Sequence, residues 1–240
     1  MSHDDGIPDI PRRPPWVQIE HVSPVVDAGR HPAKRTQGDV LVVGADLFKD
    51  GHDRIDGRVR VRRPGAARAE TVKLVYHFDP DRWEARIPLE TIGRWRFRVE
   101  AWPDAWRTWR DELRKRVDAD QEEDVAHELL EAADLLRHAA QGSGRDAANL
   151  LGVAAELEDE AVPAMERARC ILVPQYDDLL EGPHEPEQLA RSPEYALVVD
   201  RPRARFASWY ELFPRSQDPE GRHGTFRDVE RRLPELAELG

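Results

Sequence analysis

Through most of its first hundred residues the chain alternates between apolar and polar positions. In Arg58–Arg62 the valines at 59 and 61 fall on one side and the arginines on the other. In Arg94–Val99, Trp95, Phe97 and Val99 share a face opposite Arg94, Arg96 and Arg98. A period of two marks a half-buried strand. Related short runs are WVQIEHVSPVV, DVLVVGADLF, GRVRVRR, TVKLVYHF, RWEARIPL and RWRFRVEAW. Turn signals separate them at Asp50-Gly51, Pro64-Gly65, Asp79-Pro80-Asp81 and Ile92-Gly93. That many short strands at this spacing predict an immunoglobulin-like β-sandwich.

After Ala101 the period lengthens. DAWRTWRDELRKRVDAD and EEDVAHELLEAADLLRHAA read as helices, the second carrying Val125, Leu129, Leu130, Ala133 and Leu136 on one stripe. Gly142-Ser143-Gly144 breaks the run. A further helix over about Asp146 to Arg169 carries Leu150, Leu151, Val153, Ala154 and Leu157, with Pro163 expected to kink or end it. Prolines recur from Val173 to Glu194, so regular structure is expected to be sparse there. YALVVDR, at Tyr195–Arg201, then returns as a last sandwich strand, which makes the helices an insertion. Finally, Phe206–Phe213 and the segment to Gly240 read as a strand, a loop and an amphipathic helix, the opening of a parallel-sheet domain. A parallel strand needs neighbours, so the chain reads as the front of a longer protein.

The fold class is therefore mixed β plus α: a sandwich (16–103 and 194–202), a helical-bundle insertion (104–193) and an incomplete start of a barrel (203–240). Residues 1–15, polar and rich in Pro and Gly, are expected to form a loose tail without signal-peptide character.

Composition narrows the function classes. The chain has 36 basic and 47 acidic residues, a formal charge of −11, which argues against a general nucleic-acid binder. No stretch is long and apolar enough to suggest a membrane span. Cys170 is the one cysteine, which excludes an intrachain disulfide and fits a cytoplasmic protein. Beside Ile171 and Leu172 it is expected to be a buried small hydrophobe.

Candidate chemistry is thin. His31, His52, His77 and His223 are scattered without a helical-turn pair, so each reads as a surface or satisfied histidine, and no metal site is expected. The acidic runs Glu122-Glu123-Asp124 and Glu156-Glu158-Asp159-Glu160 read as solvated helix faces. No GxSxG, phosphate-binding or dinucleotide-binding glycine motif occurs. The arginines of Arg58–Arg68 alternate with valines as the solvent face of a strand does, though a basic strand can also attract anions. The tryptophans are the most arguable group. Trp102, Trp106 and Trp109, with Trp95, either glue the helical insert to the sheet or form an exposed sugar-stacking platform or a dimer face, and glue is favoured because Trp95 occupies a core register.

Four blocks carry a family resemblance: VQIEHVSPVVDAGRHPAKRTQGDVLVVGADLFKDGHD, IGRWRFRVEAWPDAWRTWRDELRKRVDADQ, VVDRPRARFASWYELFPRS and HGTFRDVERRLPELAELG. Their order and spacing resemble the N-terminal part of the α-1,4-glucan:maltose-1-phosphate maltosyltransferases, in the α-amylase-like glycoside hydrolase clan. The resemblance runs from about Trp16 to Gly240 and is weakest between Gln121 and Glu194. It implies a homodimer with the sandwich and insert at the contact. Phe206–Phe213 becomes the first strand, and Thr225–Leu239 the first helix, of a (β/α)8 barrel. The implied reaction is retaining transfer of maltosyl from α-maltose 1-phosphate to α-1,4-glucans without metal or organic cofactor. Its nucleophile, acid/base and stabilising carboxylate belong to later barrel strands, so no catalytic residue is assigned and the chain alone is expected to be an inactive assembly module. Glu211 and Arg215, near the end of the first strand, are the residues expected to approach substrate or to pair with each other. A glucan-binding sandwich that uses Trp102 and Trp106 is the alternative.

Overall fold

The computed structural model describes residues 16–141, 146–183 and 186–239 and divides the chain into two compact units, one ending at Val199 and the other running from Asp200. The tail at 1–15 and the Gly142-Ser143-Gly144 break lie outside the described residues.

In the first unit, strands β1 (Gln18–Ser23), β3 (Val40–Phe48), β7 (Arg82–Pro88) and β6 (Val75–His77) form one sheet in the order β1-β3-β7-β6. A second sheet runs β2 (Ala33–Thr36), β10 (Tyr195–Asp200), β8 (Gly93–Pro103), β4 (Ile55–Arg62) and β5 (Glu70–Lys73), with β9 (Ala190–Arg191) also on β8. The two enclose one core. Leu41, Val43, Ala45 and Leu47 of β3 meet Val59 and Val61 of β4, Trp95, Phe97 and Val99 of β8, and Leu197 and Val199 of β10. The alternation read from the sequence is the alternation observed, because a pleated strand sends successive side chains to opposite faces. Trp95 is buried and its indole N–H donates to the Thr91 carbonyl at 2.8 Å. Gly57 sits where a Cβ would lie 2.9 Å from Leu47 Cδ1 and 3.0 Å from the Glu100 carbonyl oxygen, so only glycine lets β4 approach both.

Between β8 and β9 the chain leaves the sheet for four helices: α1 (Ala105–Asp118), α2 (Glu122–Ala140), α3 (Ala147–Glu158) and α4 (Ala164–Ile171). Asp104 caps α1 by accepting from the Arg107 N–H at 2.9 Å. Acidic residues open α2 and Arg137 and His138 close it, matching the helix dipole. Pro163 stands at the N-cap of α4 and separates it from α3, as expected. A second core forms here from Trp106, Leu113, Val125, Leu129, Leu136, Leu150, Val153, Leu157, Ala168 and Ile171, among others.

Three readings of the stripes need correction. Leu130 and Leu151 are about half exposed: each lies one residue, about 100° around the helix, from the inward positions Leu129 and Leu150. Cys170 is exposed, not buried. The inward stripe of α4 is Ala164, Ala168 and Ile171, and Cys170, two residues past Ala168, points away from it.

The second unit contains helix α5 (Phe226–Glu238), which begins where the sequence placed it. Its N-terminus is a reciprocal capping box. Asp228 accepts from the Thr225 N–H at 2.6 Å and from its hydroxyl at 2.8 Å. Those bonds, with Arg231 beside them, hold the Asp228 carboxyl below its ordinary value. The expected strand at Phe206–Phe213 is not one. Its ends are extended, with φ −133° at Phe206 and −98° at Phe213, but no strand pairs with it among the described residues. Extended backbone becomes a strand only when a neighbour takes up its N–H and C=O groups.

Candidate functional site

A cleft of about 980 Å³ in the first unit opens between the ends of β4–β6 and helix α1. Its walls are charged, and the charges are paired. Arg107 of α1 reaches Asp56 of β4 at 3.4 Å, Asp104 at 3.3 Å and, more closely, Asp178. Lys73 of β5 meets Asp178 at 3.3 Å and Glu181 at 3.2 Å. Arg54 pairs with Asp111 at 2.5 Å, and its backbone N–H donates to the Thr108 hydroxyl at 2.8 Å. Deeper in, the buried Arg110 guanidinium donates to the carbonyls of Ile171, Leu172 and Val173 and pairs with Asp177 at 2.6 Å. The Arg54, Lys73 and Arg107–Asp56 contacts fasten the helical insert to the sandwich, while those of Arg110 tie α1 to the end of α4 within the insert.

The network splits its carboxylates. Burial pushes the Asp56 carboxyl above its ordinary value and outweighs the Gly57 N–H and the Arg107 and Lys73 charges. Burial also acts upward on Asp178, but hydrogen bonds from Lys73 and Arg107 and their charges prevail and hold it below its ordinary value. The folded-state value of Asp178 is thus below the unfolded one. Its stabilisation is present above the ordinary aspartate value, about 3.9, and is lost as pH falls through the lower folded value. Asp178→Asn is expected to flatten the acid decline of the melting temperature and to cost less than about 1 kcal/mol at neutral pH, because the side chain is half exposed. Melting curves of both proteins from pH 7 to pH 3 check this. An unchanged acid slope would remove Asp178 from the account.

The tryptophans are covered, but they do not glue the insert to the sheet: Trp106 and Trp109 belong to the helical core and Trp95 to the sandwich core. Trp106 is fully buried and stacks on Trp109 with ring centroids 5.0 Å apart; its N–H donates to the Tyr176 carbonyl at 2.7 Å. Trp109 is buried, its N–H on the Glu128 carbonyl at 2.9 Å. Trp102 is 4% exposed, with the Arg58 guanidinium 5.2 Å over its ring. None of the three offers a face to a sugar or to a second copy.

His31, His52, His77 and His223 are exposed, and no three His, Cys, Asp or Glu side chains form a metal-holding group among the described residues. No helix among them is long and apolar enough to cross a membrane. In the second unit, Glu211 is exposed in the extended segment. Arg215 is exposed in the 3-10 turn Pro214–Ser216, where its carbonyl accepts from the Gly224 N–H at 2.9 Å. No ion pair joins these two residues. The sequence reading missed Arg107, Arg110 and the Asp177-Asp178 pair. Arg107 and Arg110 follow the buried Trp106 and Trp109 at the same three-residue step, which was the available signal for one side. The aspartates some seventy residues on gave none.

Fold and site together define a two-sheet sandwich carrying a helical insert that ion pairs join to it. Residues 15–201 match domain N/S of the α-1,4-glucan:maltose-1-phosphate maltosyltransferases. The chain belongs to that family. It is 42% identical over 234 residues to the maltosyltransferase of that name from Myxococcus xanthus, covering 93% of this chain and 35% of the relative. It is 40% identical over 241 residues to that of Pseudomonas aeruginosa (100% and 36%), and 33% identical over 257 to that of Mycobacterium tuberculosis (95% and 36%). The chain thus spans about a third of the length of these curated relatives.

Proposed function

We propose that this chain is the N-terminal portion of an enzyme that transfers maltosyl from α-maltose 1-phosphate to the non-reducing end of α-1,4-glucans, releasing phosphate, and that it contributes assembly while the chemistry resides elsewhere. The observation that carries the reading is the match of residues 15–201, which takes in the sandwich and its insert as one piece. In this reading the sandwich is immunoglobulin-like (16–103 and 194–202), the insert spans 104–193, and 203–240 opens a (β/α)8 barrel. The large apolar side chains of the second unit support the last point: Trp209 is 96% exposed, and Phe206, Tyr210 and Phe213 are also exposed. Aromatic surface of that extent calls for a covering partner, and neighbouring barrel strands are a fitting one. Once such strands take up its backbone N–H and C=O groups, the extended segment becomes a strand, with Glu211 and Arg215 near its C-terminal end, where barrel sites form. Pairing of two chains through sandwich and insert completes the assembly. The glucan-binding alternative has lost its platform, since Trp102 and Trp106 are buried.

Phosphate release from α-maltose 1-phosphate with glycogen, measured on this chain and on one extended through a full barrel, tests the proposal. Release by the extended chain alone is expected. Release by the short chain would show that the reacting carboxylates are already present, and silence in both would defeat the transferase reading. Sedimentation velocity across protein concentration is expected to show a dimer; a monomer at every concentration would confine pairing to other parts of the enzyme.

A further inference from the structure

The outer face of the second sheet holds an arginine ladder that its own carboxylates do not balance. Antiparallel register sets Arg58 opposite Glu100, Arg60 opposite Arg98 and Arg62 opposite Arg96 between β4 and β8. Glu100, almost fully buried, gathers Arg58 at 2.8 Å, Arg98 at 2.9 Å and Arg191 at 3.8 Å. Glu194 bridges Arg62 at 3.2 Å and Arg96 at 2.9 Å, and these arginines hold its carboxyl below the ordinary value against burial. Five arginines thus share two glutamates, on a chain whose overall charge is −11.

Between the two glutamate clusters lies Arg60. It has no ion-pair partner among the described residues, and its Nε is buried without a hydrogen-bond acceptor. Arg63, Arg116, Arg167 and Arg232 also have a buried Nε without a well-aligned acceptor. Each of those, however, touches a carboxylate or a carbonyl: Glu70, Glu128, Leu157 and Glu235 in turn. Arg60 alone touches neither. On β8 it faces Arg98, and on β5 it faces Thr71, whose side chain is exposed. Like charges set directly opposite across strands destabilise a sheet, and buried polar atoms are ordinarily satisfied.

We propose that the row Thr71–Arg60–Arg98 is an anion site on the outer face of the sandwich, taking an oxyanion of the phosphate type. Two guanidinium groups and a hydroxyl supply the donors, from three adjacent strands spaced about 5 Å apart. A tetrahedral dianion has enough acceptor oxygens to meet all three, whereas a single carboxylate meets one fork. Binding relieves the Arg60–Arg98 opposition and satisfies the Arg60 Nε. The site uses only the sandwich, so it does not depend on the transferase reading.

The test is an NMR titration of this chain with sodium phosphate, against sodium chloride at matched ionic strength and against sodium acetate. Phosphate is expected to give saturable shifts at the Arg60 side-chain N–H and the Thr71 and Arg98 amides, with chloride giving none and acetate binding weakly. Arg60→Gln is expected to weaken phosphate binding by about tenfold, as loss of a charge-assisted pair implies. Thr71→Val, which keeps the strand's volume and shape, is a second variant and is expected to weaken it by about threefold, the scale of a neutral hydrogen bond. Arg94→Gln, outside the row, is expected to leave it within about twofold, as an exposed charge does. Equal weakening by Arg60→Gln and Arg94→Gln, or shifts that follow ionic strength alone, would overturn the site in favour of general screening. Acetate binding as tightly as phosphate would overturn the phosphate assignment and point to a carboxylate-bearing partner.

Discussion

Trp106→Ala is expected to destabilise the first unit by about 3–5 kcal/mol, the range for removing a buried large aromatic side chain. The ring is completely buried, stacks on Trp109 and anchors the Tyr176 carbonyl through its N–H. Truncation therefore opens a cavity, breaks the stack and leaves a carbonyl without its donor. Urea unfolding followed by circular dichroism and by tryptophan fluorescence checks the prediction. The loss is expected first in the helical insert, because Trp106 belongs to the helical core and Trp95 to the sandwich core. An exposed stacking platform would instead tolerate the change within about 0.5 kcal/mol, as surface substitutions do.

Arg110→Met is expected to cost about 3 kcal/mol, because it leaves three carbonyls at the end of α4 without their donor at about 1 kcal/mol each. The half-exposed Asp177 returns to solvent at little cost. Burial pulls the Arg110 guanidinium below its ordinary value, but Asp177 keeps it charged and its fork serves three carbonyls at the end of α4. Methionine fills much of the space and satisfies none of those groups. Arg110→Lys is expected to recover only a minor part, since one ammonium cannot reproduce a planar fork. Denaturation midpoints of the three proteins decide it. A lysine variant as stable as the parent would show that charge alone matters there. Because Arg110 also lies 6.0 Å over the Trp106 ring, the double variant is expected to cost less than the sum of the two.

Both predictions concern contacts that join distant stretches of chain, and here the sequence was weakest. The start of α1 was legible because the period changes from two to about 3.6 there, whereas the capping box at Thr225 and Asp228 is seen only in the structure. The exposure of Cys170 was not legible. Its neighbours are apolar, and only the phase set by Ala164, Ala168 and Ile171 turns it outward. The segment at Phe206–Phe213 fails in the opposite direction: its residues favour a strand, yet pairing is a property of two segments and none joins it among the described residues.

Local pattern alone determined the alternating strands and the core register of Trp95, because side-chain direction follows from backbone period. The residues of four blocks, in order and at family-like spacing, carried the family resemblance. Tertiary structure decided that Trp102, Trp106 and Trp109 are covered, that Arg107 and Arg110 meet Asp177 and Asp178, and that Arg60 is left facing Arg98. Those outcomes depend on strand register and on contacts across some seventy residues, and no short-range periodicity encodes which charges meet when the chain closes on itself.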